Sequence, residues 1–232
     1  MAIIKSTFGK MKGKVGNLVL YDGPNGETLC RSNGHMTGKK TEKQKRHFEA
    51  FGTLMRLGIF LRAVIRVGFP GEKRFPAGVR GFVRANVNTA VEVEKIKPEK
   101  KVSAQKQAPK EFRGRVDFAR LQVADGSLGA PEGVRAEVDA ATQTVRFSWQ
   151  GMELESPCRF RDDRLYGVVV SLNERAISRV FPIGTRGESG DREVSVESEY
   201  IRVEHAAVYV FATSADGKKA SPSVYLDNTK KH

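Results

Sequence analysis

The 232-residue chain carries 40 Lys and Arg against 27 Asp and Glu, a formal charge of +13, with 39% hydrophobic residues. That apolar content excludes a globally disordered chain. The most apolar stretch, 54–67, is interrupted by Arg56, Arg62 and Arg66, which excludes a membrane-spanning helix of about 20 apolar residues. The charge is also uneven: residues 1–111 hold 23 Lys and Arg against 9 Asp and Glu, whereas 112–232 hold 17 against 18. A basic module followed by a nearly neutral one points to a polyanion as the partner of the first.

The opening Met1 to Lys5 lacks the apolar core of a secretion signal, so a cytoplasmic location is expected, with a virion-associated one left open. Cys30 and Cys158 are the only cysteines and fall in different halves, which predicts two free thiols rather than a disulfide framework.

Along the chain, 15–21 and 27–31 read as two strands around the turn-rich Asp22-Gly23-Pro24-Asn25-Gly26, a β-hairpin. The preceding Gly9, Gly13 and Gly16, interleaved with Lys10, Lys12 and Lys14, match neither a P-loop nor a dinucleotide fingerprint. Thr41-Glu42-Lys43-Gln44 has the form of a capping box and predicts a helix start. From Phe48 the apolar residues recur as Phe51, Met55 and Ile59 on one strip and Leu54, Leu57, Leu61, Val64 and Ile65 on its neighbour, predicting one helix over 41–67 that stops before Gly68 and Pro70. A second helix is predicted over 78–91, with Arg80 and Arg84 on one face and Phe82 and Val83 turned inward.

Residues 94–111 are Lys-rich, hold two prolines and few apolar residues, and read as a linker. Beyond them the period becomes two. Short apolar runs around Val116, Leu121, Val134, Val145, Leu165, Ala176, Val194, Ala207 and Val224 are separated by turn signals. This favours a β-sandwich of immunoglobulin or fibronectin III style with Trp149, Tyr166, Tyr209 and Phe211 as core anchors. The fold expected is therefore an α+β N-terminal module of a β-hairpin plus two helices (1–93), a Lys-rich linker (94–111) and an all-β immunoglobulin/fibronectin III-like sandwich (112–232).

No catalytic constellation stands out. His35, His47, His205 and His232 are scattered without metal-ligand spacing, and Gly187-Glu188-Ser189-Gly190 is not a nucleophile elbow. Asp162-Asp163 and Glu153/Glu155 read as turn and exposed-strand acids rather than as a general acid/base pair. No enzyme activity, metal or cofactor is expected.

The pattern Gly13-Lys14-Val15-Gly16-Asn17, then Arg31, Thr41-Glu42-Lys43-Gln44 with Arg46 and Phe48, Val67-Gly68-Phe69, Phe82 and Asn86, and finally Ser221-Pro222-Ser223-Val224-Tyr225, resembles an uncharacterised domain-of-unknown-function family common in Bacteroidota. The resemblance spans most of the chain and implies the same basic-module-plus-sandwich architecture. It carries no activity or site residues.

The functional expectation is a non-enzymatic binding protein whose basic module contacts nucleic acid or another polyanion, without strong sequence specificity, through Lys10, Lys12, Lys14, Arg31, Lys39, Lys40, Lys43 and Arg46. The alternative is a structural or assembly protein, cellular or virion-associated, that uses the sandwich and the apolar helix for protein contacts or self-association. Neither reading involves a membrane.

Overall fold

The computed structural model describes residues 2–4, 11–33, 40–72, 74–96, 111–172, 176–196, 200–226 and 229–230. They form a mixed α+β, largely β fold in several sheets with three α-helices. The chain separates into two compact units, Met1–Thr41 and Glu42–His232.

The first unit is an antiparallel sheet of β1 (Ala2–Ile4), β2 (Gly13–Val15), β3 (Leu18–Asp22) and β4 (Thr28–Ser32), in the order β1-β4-β3-β2. The segment 15–21, expected as a single strand, instead folds back on itself at Gly16-Asn17. Val15 pairs with Leu18, and Gly16 takes φ +57°. A two-residue hairpin with glycine at its first central position needs that positive φ to match the strand twist. The expected β3–β4 hairpin forms, closed by hydrogen bonds from the Gly23 amide to the Glu27 carbonyl and from the Gly26 amide to the Gly23 carbonyl.

The second unit opens with α1 (Glu42–Phe60), α2 (Arg62–Gly68) and α3 (Gly78–Asn86). Helix α1 begins immediately after Thr41. The single helix expected over 41–67 bends at Leu61, whose ψ of 9° leaves the helical region, although Leu61 and Ile65 still bond back to Leu57 and Leu61. Helix α3 stops at Asn86 rather than reaching residue 91, because the Asn86 side chain leaves the helix surface for a tertiary role. Its Nδ2 donates to the Phe82 and Gln122 carbonyls at 2.8 Å each, and its Oδ1 accepts from the Gln122 amide at 2.7 Å. The stretch around Leu121 and Val123, expected as a strand, is an irregular buried segment held by this amide and by the Ser223 hydroxyl.

The strands are β5 (Val91–Lys95), β6 (Phe112–Val116), β7 (Arg135–Asp139), β8 (Thr144–Trp149), β9 (Arg164–Ser171), β10 (Ser178–Thr185), β11 (Gly190–Ser195), β12 (Ala206–Thr213), β13 (Val224–Leu226) and β14 (Thr229–Lys230). Glu94 and Lys95, expected to open the linker, end β5, which pairs with β6. Residues 97–110 of that expected linker lie outside the described residues.

Two four-stranded sheets, β10-β9-β12-β13 and β11-β8-β7-β14, share a core of Val145, Phe147, Val169, Val208 and Val210. The opposite face of the first sheet packs Val168, Val170, Tyr209 and Phe211 against Leu54, Leu61, Val64 and Phe82 of the helices. This sheet is thus covered on both sides, and all eight residues of β12 are buried. The helices expected to belong with the hairpin share their unit and core with these strands instead. The physical reason lies in β9 and β12, whose near-continuous apolar sequences mark strands with two covered faces, and the helices supply the second cover.

Two of its three side-chain hydrogen bonds tie Asn86, and with it α3, to Gln122, so Asn86→Ala strands the Gln122 amide and carbonyl in a partly buried site. The expected loss is about 2–3 kcal/mol of stability, read as a lower urea midpoint with an unchanged slope.

Candidate polyanion-binding face

Directly opposed residues of antiparallel strands project from the same side of a sheet. In the first unit Lys14 pairs with Val19 and Val19 with Arg31, so these three form one row across β2, β3 and β4. Tyr21 and Leu29 form the next row on that side. The alternate residues Leu20, Thr28 and Cys30 are buried, which leaves the Lys14–Val19–Arg31 side as the more open face. The Arg31 guanidinium lies 6.0 Å from the centroid of the Tyr21 ring, within cation–π range.

Of the residues expected to bind a polyanion, Lys14 and Arg31 meet on this face, and neither has a carboxylate partner among the described residues. Lys12 is turned to Asp22, with Nζ 2.6 Å from Oδ2. This exposed pair contributes little to stability, yet it offsets part of the charge of Lys12. Lys40 is exposed. Lys10 and Lys39 lie outside the described residues.

Lys43 and Arg46 belong to the second unit, in the first turns of α1. Arg46 sits 5.5 Å from the Phe112 ring centroid and Lys43 is exposed. Their neighbours act as internal ties: Lys45 Nζ is 2.7 Å from Glu111, and Lys95 Nζ is 3.1 Å from Glu42, whose carboxyl is held below its ordinary range by that bond. On the β5–β6 ribbon Glu92 faces Arg115 and Glu94 faces Arg113, so the charges there cancel across the strands. The basic composition of residues 42–95 thus serves local pairing to a degree that counting alone does not reveal.

A second cluster lies at one end of the paired sheets. Trp149, Leu165, Val134 and Met152 line a cleft of about 180 Å³ together with Glu132, Arg159 and Arg186. Arg186 and Asp163 are a buried ion pair, 6% and 1% exposed, with Nε 3.2 Å from Oδ2. The Arg186 Nη2 donates to the Gly129 carbonyl and Nη1 reaches the Ala130 carbonyl, while the Phe160 amide donates to Asp163 at 3.1 Å. Burial pushes the Asp163 carboxyl above its ordinary range, opposed by the Phe160 amide and the Arg186 charge. Burial likewise lowers Arg186.

Arg159 grips Glu132 with both terminal nitrogens, and the Trp149 indole donates to the Thr185 and Glu188 carbonyls. The Arg159 guanidinium, the terminal nitrogens of Arg186 and the indole are therefore committed to protein partners, so this cluster latches three loops together, while Asp163 Oδ1 and Arg186 Nε are buried without a hydrogen-bond partner among the described residues. Sequence reasoning read Asp163 as a turn acid. Nothing in the local pattern distinguishes it from Asp162, since its partner lies 23 residues away. Cys30 and Cys158 are both free thiols, and no group of three or more His, Cys, Asp or Glu suited to a metal ion occurs among the described residues.

Because Asp163 would remain buried without its countercharge, Arg186→Met is expected to cost about 3–5 kcal/mol, whereas Arg186→Met combined with Asp163→Leu recovers most of that loss. Chemical denaturation of both variants checks this.

No helix among the described residues is long and apolar enough to cross a membrane. No protein-family model and no curated protein sequence matches this chain.

Proposed function

We propose that this is a non-enzymatic binding protein that holds single-stranded nucleic acid, or a comparable polyanion, on the Lys14–Val19–Arg31 face of its N-terminal sheet. The observation that carries the reading is the register: one row of β2, β3 and β4 sets two cations, neither with a carboxylate partner among the described residues, on either side of a valine, with Tyr21 in the next row. The cations neutralise backbone phosphates and release counterions, which needs no sequence-specific geometry. The Tyr21 ring offers a surface on which an unpaired base stacks, a mode open to single strands. The surrounding segment 1–41 adds five further Lys residues and contains only two acids, Asp22 and Glu27.

For the second unit we propose a fibronectin III-like sandwich. The order β7-β8-β11 in one sheet and β10-β9-β12-β13 in the other matches strands A-B-E and C′-C-F-G, with Trp149 on B and Tyr209 on F. On this reading it serves as a protein-contact module. A second function, assembly, is favoured by a separate observation: Phe51, Met55 and Ile59 of α1 remain 44%, 40% and 62% exposed. The strip through Leu54, Leu61 and Val64, by contrast, is consumed by the core.

Fluorescence anisotropy of the full chain with a labelled single-stranded oligonucleotide, at several salt concentrations, tests the first reading. Lys14→Ala with Arg31→Ala should weaken binding and flatten the log–log salt slope by about 1.4, the value for two lost phosphate contacts on a single strand. Tyr21→Leu should cost about 1–3 kcal/mol for single strands and leave duplex affinity unchanged. An unaltered slope in the double variant would sink the assignment.

A further inference from the structure

We propose that the second unit holds a guanine nucleotide, with the base in a slot between Phe75 and Asp125 and the phosphate on Arg74 and Lys219. This goes beyond both readings given above and rests on residues that neither of them uses.

Two hollows that share Phe75 carry it. The first is a slot of about 140 Å³ lined by Phe69, Phe75, Pro76, Ala85, Arg84 and Asp125. A cavity of about 150 Å³ holds one benzene ring, so the slot admits the six-membered ring of a base edge first and leaves the rest of the nucleotide outside. The second is a broader basin of about 450 Å³, lined by Phe75 together with Arg74, Lys218, Lys219, Glu72 and Ser127. Apolar and aromatic walls with a few convergent polar groups are the usual make-up of a small-molecule site.

The walls are tied in place. Glu72 and Phe75 exchange both backbone hydrogen bonds, at 2.8 and 3.0 Å, and the Gly78 amide donates to the Phe69 carbonyl at 2.9 Å. A Cβ at Gly81 would collide with the Pro76 carbonyl oxygen, so α3 lies this close to the Pro76 wall only with glycine there. Walls fixed before the ligand arrives need little further ordering on binding.

The polar groups select the base. Asp125 is half-buried, and its own amide donates to the Gly68 carbonyl at 3.1 Å. Its carboxyl accepts from the Gly126 amide and has no ion-pair partner among the described residues; burial pushes it above its ordinary range. The Arg84 Nη1 donates to the Arg74 carbonyl at 2.7 Å, and its other nitrogens have no partner among the described residues. A carboxylate and a guanidinium that line one slot without pairing suit a ligand that donates to the first and accepts from the second. Guanine does both on one edge, with N1–H and N2–H side by side for the carboxylate and O6 for the guanidinium. Adenine, cytosine and uracil each lack the adjacent pair of donors.

The basin supplies the phosphate contacts. Arg74 and Lys219 are exposed, and neither has a carboxylate partner among the described residues. Lys218 leans on Asp216 at 3.2 Å, while Glu72 accepts from the Ser127 amide at 3.3 Å. Two unpaired cations beside the mouth of the slot suit the phosphate of a nucleotide whose base lies within.

Fluorescence anisotropy of the full chain with ribose-labelled GMP, followed by competition with unlabelled nucleotides, tests this. GMP should compete at least tenfold better than AMP, CMP or UMP, and IMP, which keeps O6 and N1–H but lacks the N2 amine, should fall between. Asp125→Asn should weaken GMP at least tenfold with an unchanged or higher melting temperature, since it removes an unpaired half-buried carboxylate; this separates loss of binding from loss of fold. Arg74→Ala with Lys219→Ala should weaken GMP and leave guanosine unchanged. No saturable binding of GMP up to about 1 mM, AMP or IMP equal to GMP, or an Asp125→Asn variant that binds like the parent overturns the proposal. An oligouridine strand with one internal guanosine, assayed in the Lys14→Ala, Arg31→Ala chain, distinguishes the sources of the base. Binding tenfold tighter than GMP places it in a nucleic-acid strand, equal or weaker binding in a free nucleotide, and both support the slot. The affinity of a guanine-free oligonucleotide for Asp125→Asn reports separately on the polyanion reading.

Discussion

The second unit is organised around burial of both faces of the β10-β9-β12-β13 sheet. Val208, Val210 and Ala212 of β12 enter the core shared with β7, β8 and β11, while Ala207, Tyr209 and Phe211 enter the core under the helices. Each large apolar side chain so covered contributes on the order of 2 kcal/mol, and neither core can form without this strand. The bend at Leu61 and the close approach of Gly68 to the Val123 carbonyl follow from laying two helices and an irregular segment over one sheet face.

Such extensive burial brings polar groups inside, and direct pairing answers most of them, Asp163 Oδ1 and Arg186 Nε being the buried side-chain atoms among the described residues that lack a hydrogen-bond partner. Tyr209 is fully buried, and its hydroxyl donates to the Phe118 carbonyl at 2.6 Å. Asn86 answers both the amide and the carbonyl of Gln122. Asp163 and Arg186 neutralise one another, while the remaining guanidinium donors hold the 129–130 loop. These groups set the positions of irregular segments that no ladder of backbone hydrogen bonds defines. Apolar packing supplies the bulk of the favourable energy, and the polar contacts select one arrangement of the loops.

The uneven charge acquires a different meaning at each place it falls. In the first unit the strand register sets Lys14 and Arg31 on one open face, with no carboxylate partner for either among the described residues, the feature on which the proposed polyanion contact rests. Along α1, Lys45 and Arg56 lean on Glu111 and Glu49, and Arg46 leans on Phe112, so much of the helix charge is spent within the unit. What α1 offers outward is its apolar strip. The proposed polyanion face and this strip thus belong to different units of the chain.

Much of the secondary structure could be read from local chemistry. The hairpin at Asp22–Gly26, the helix start after Thr41, the end of α2 at Gly68, and strands such as β8, β9, β12 and β13 all carry turn, capping or period signals within a few residues. The single-strand reading of 15–21 passed over a Gly-Asn hairpin signal that was present. Other features lay beyond any local pattern because they depend on residues far apart in sequence. That α1–α3 cover a sheet formed by residues 164–226 is one, and that Asp163 rather than Asp162 is buried is another. The pairing of Asn86 with Gln122 across 36 residues is a third. Likewise, the sequence by itself determined that the N-terminal segment is basic, since charge is a property of composition. Only the tertiary structure decided which cations face outward together, because strand register and nearby carboxylates set the environment of each side chain.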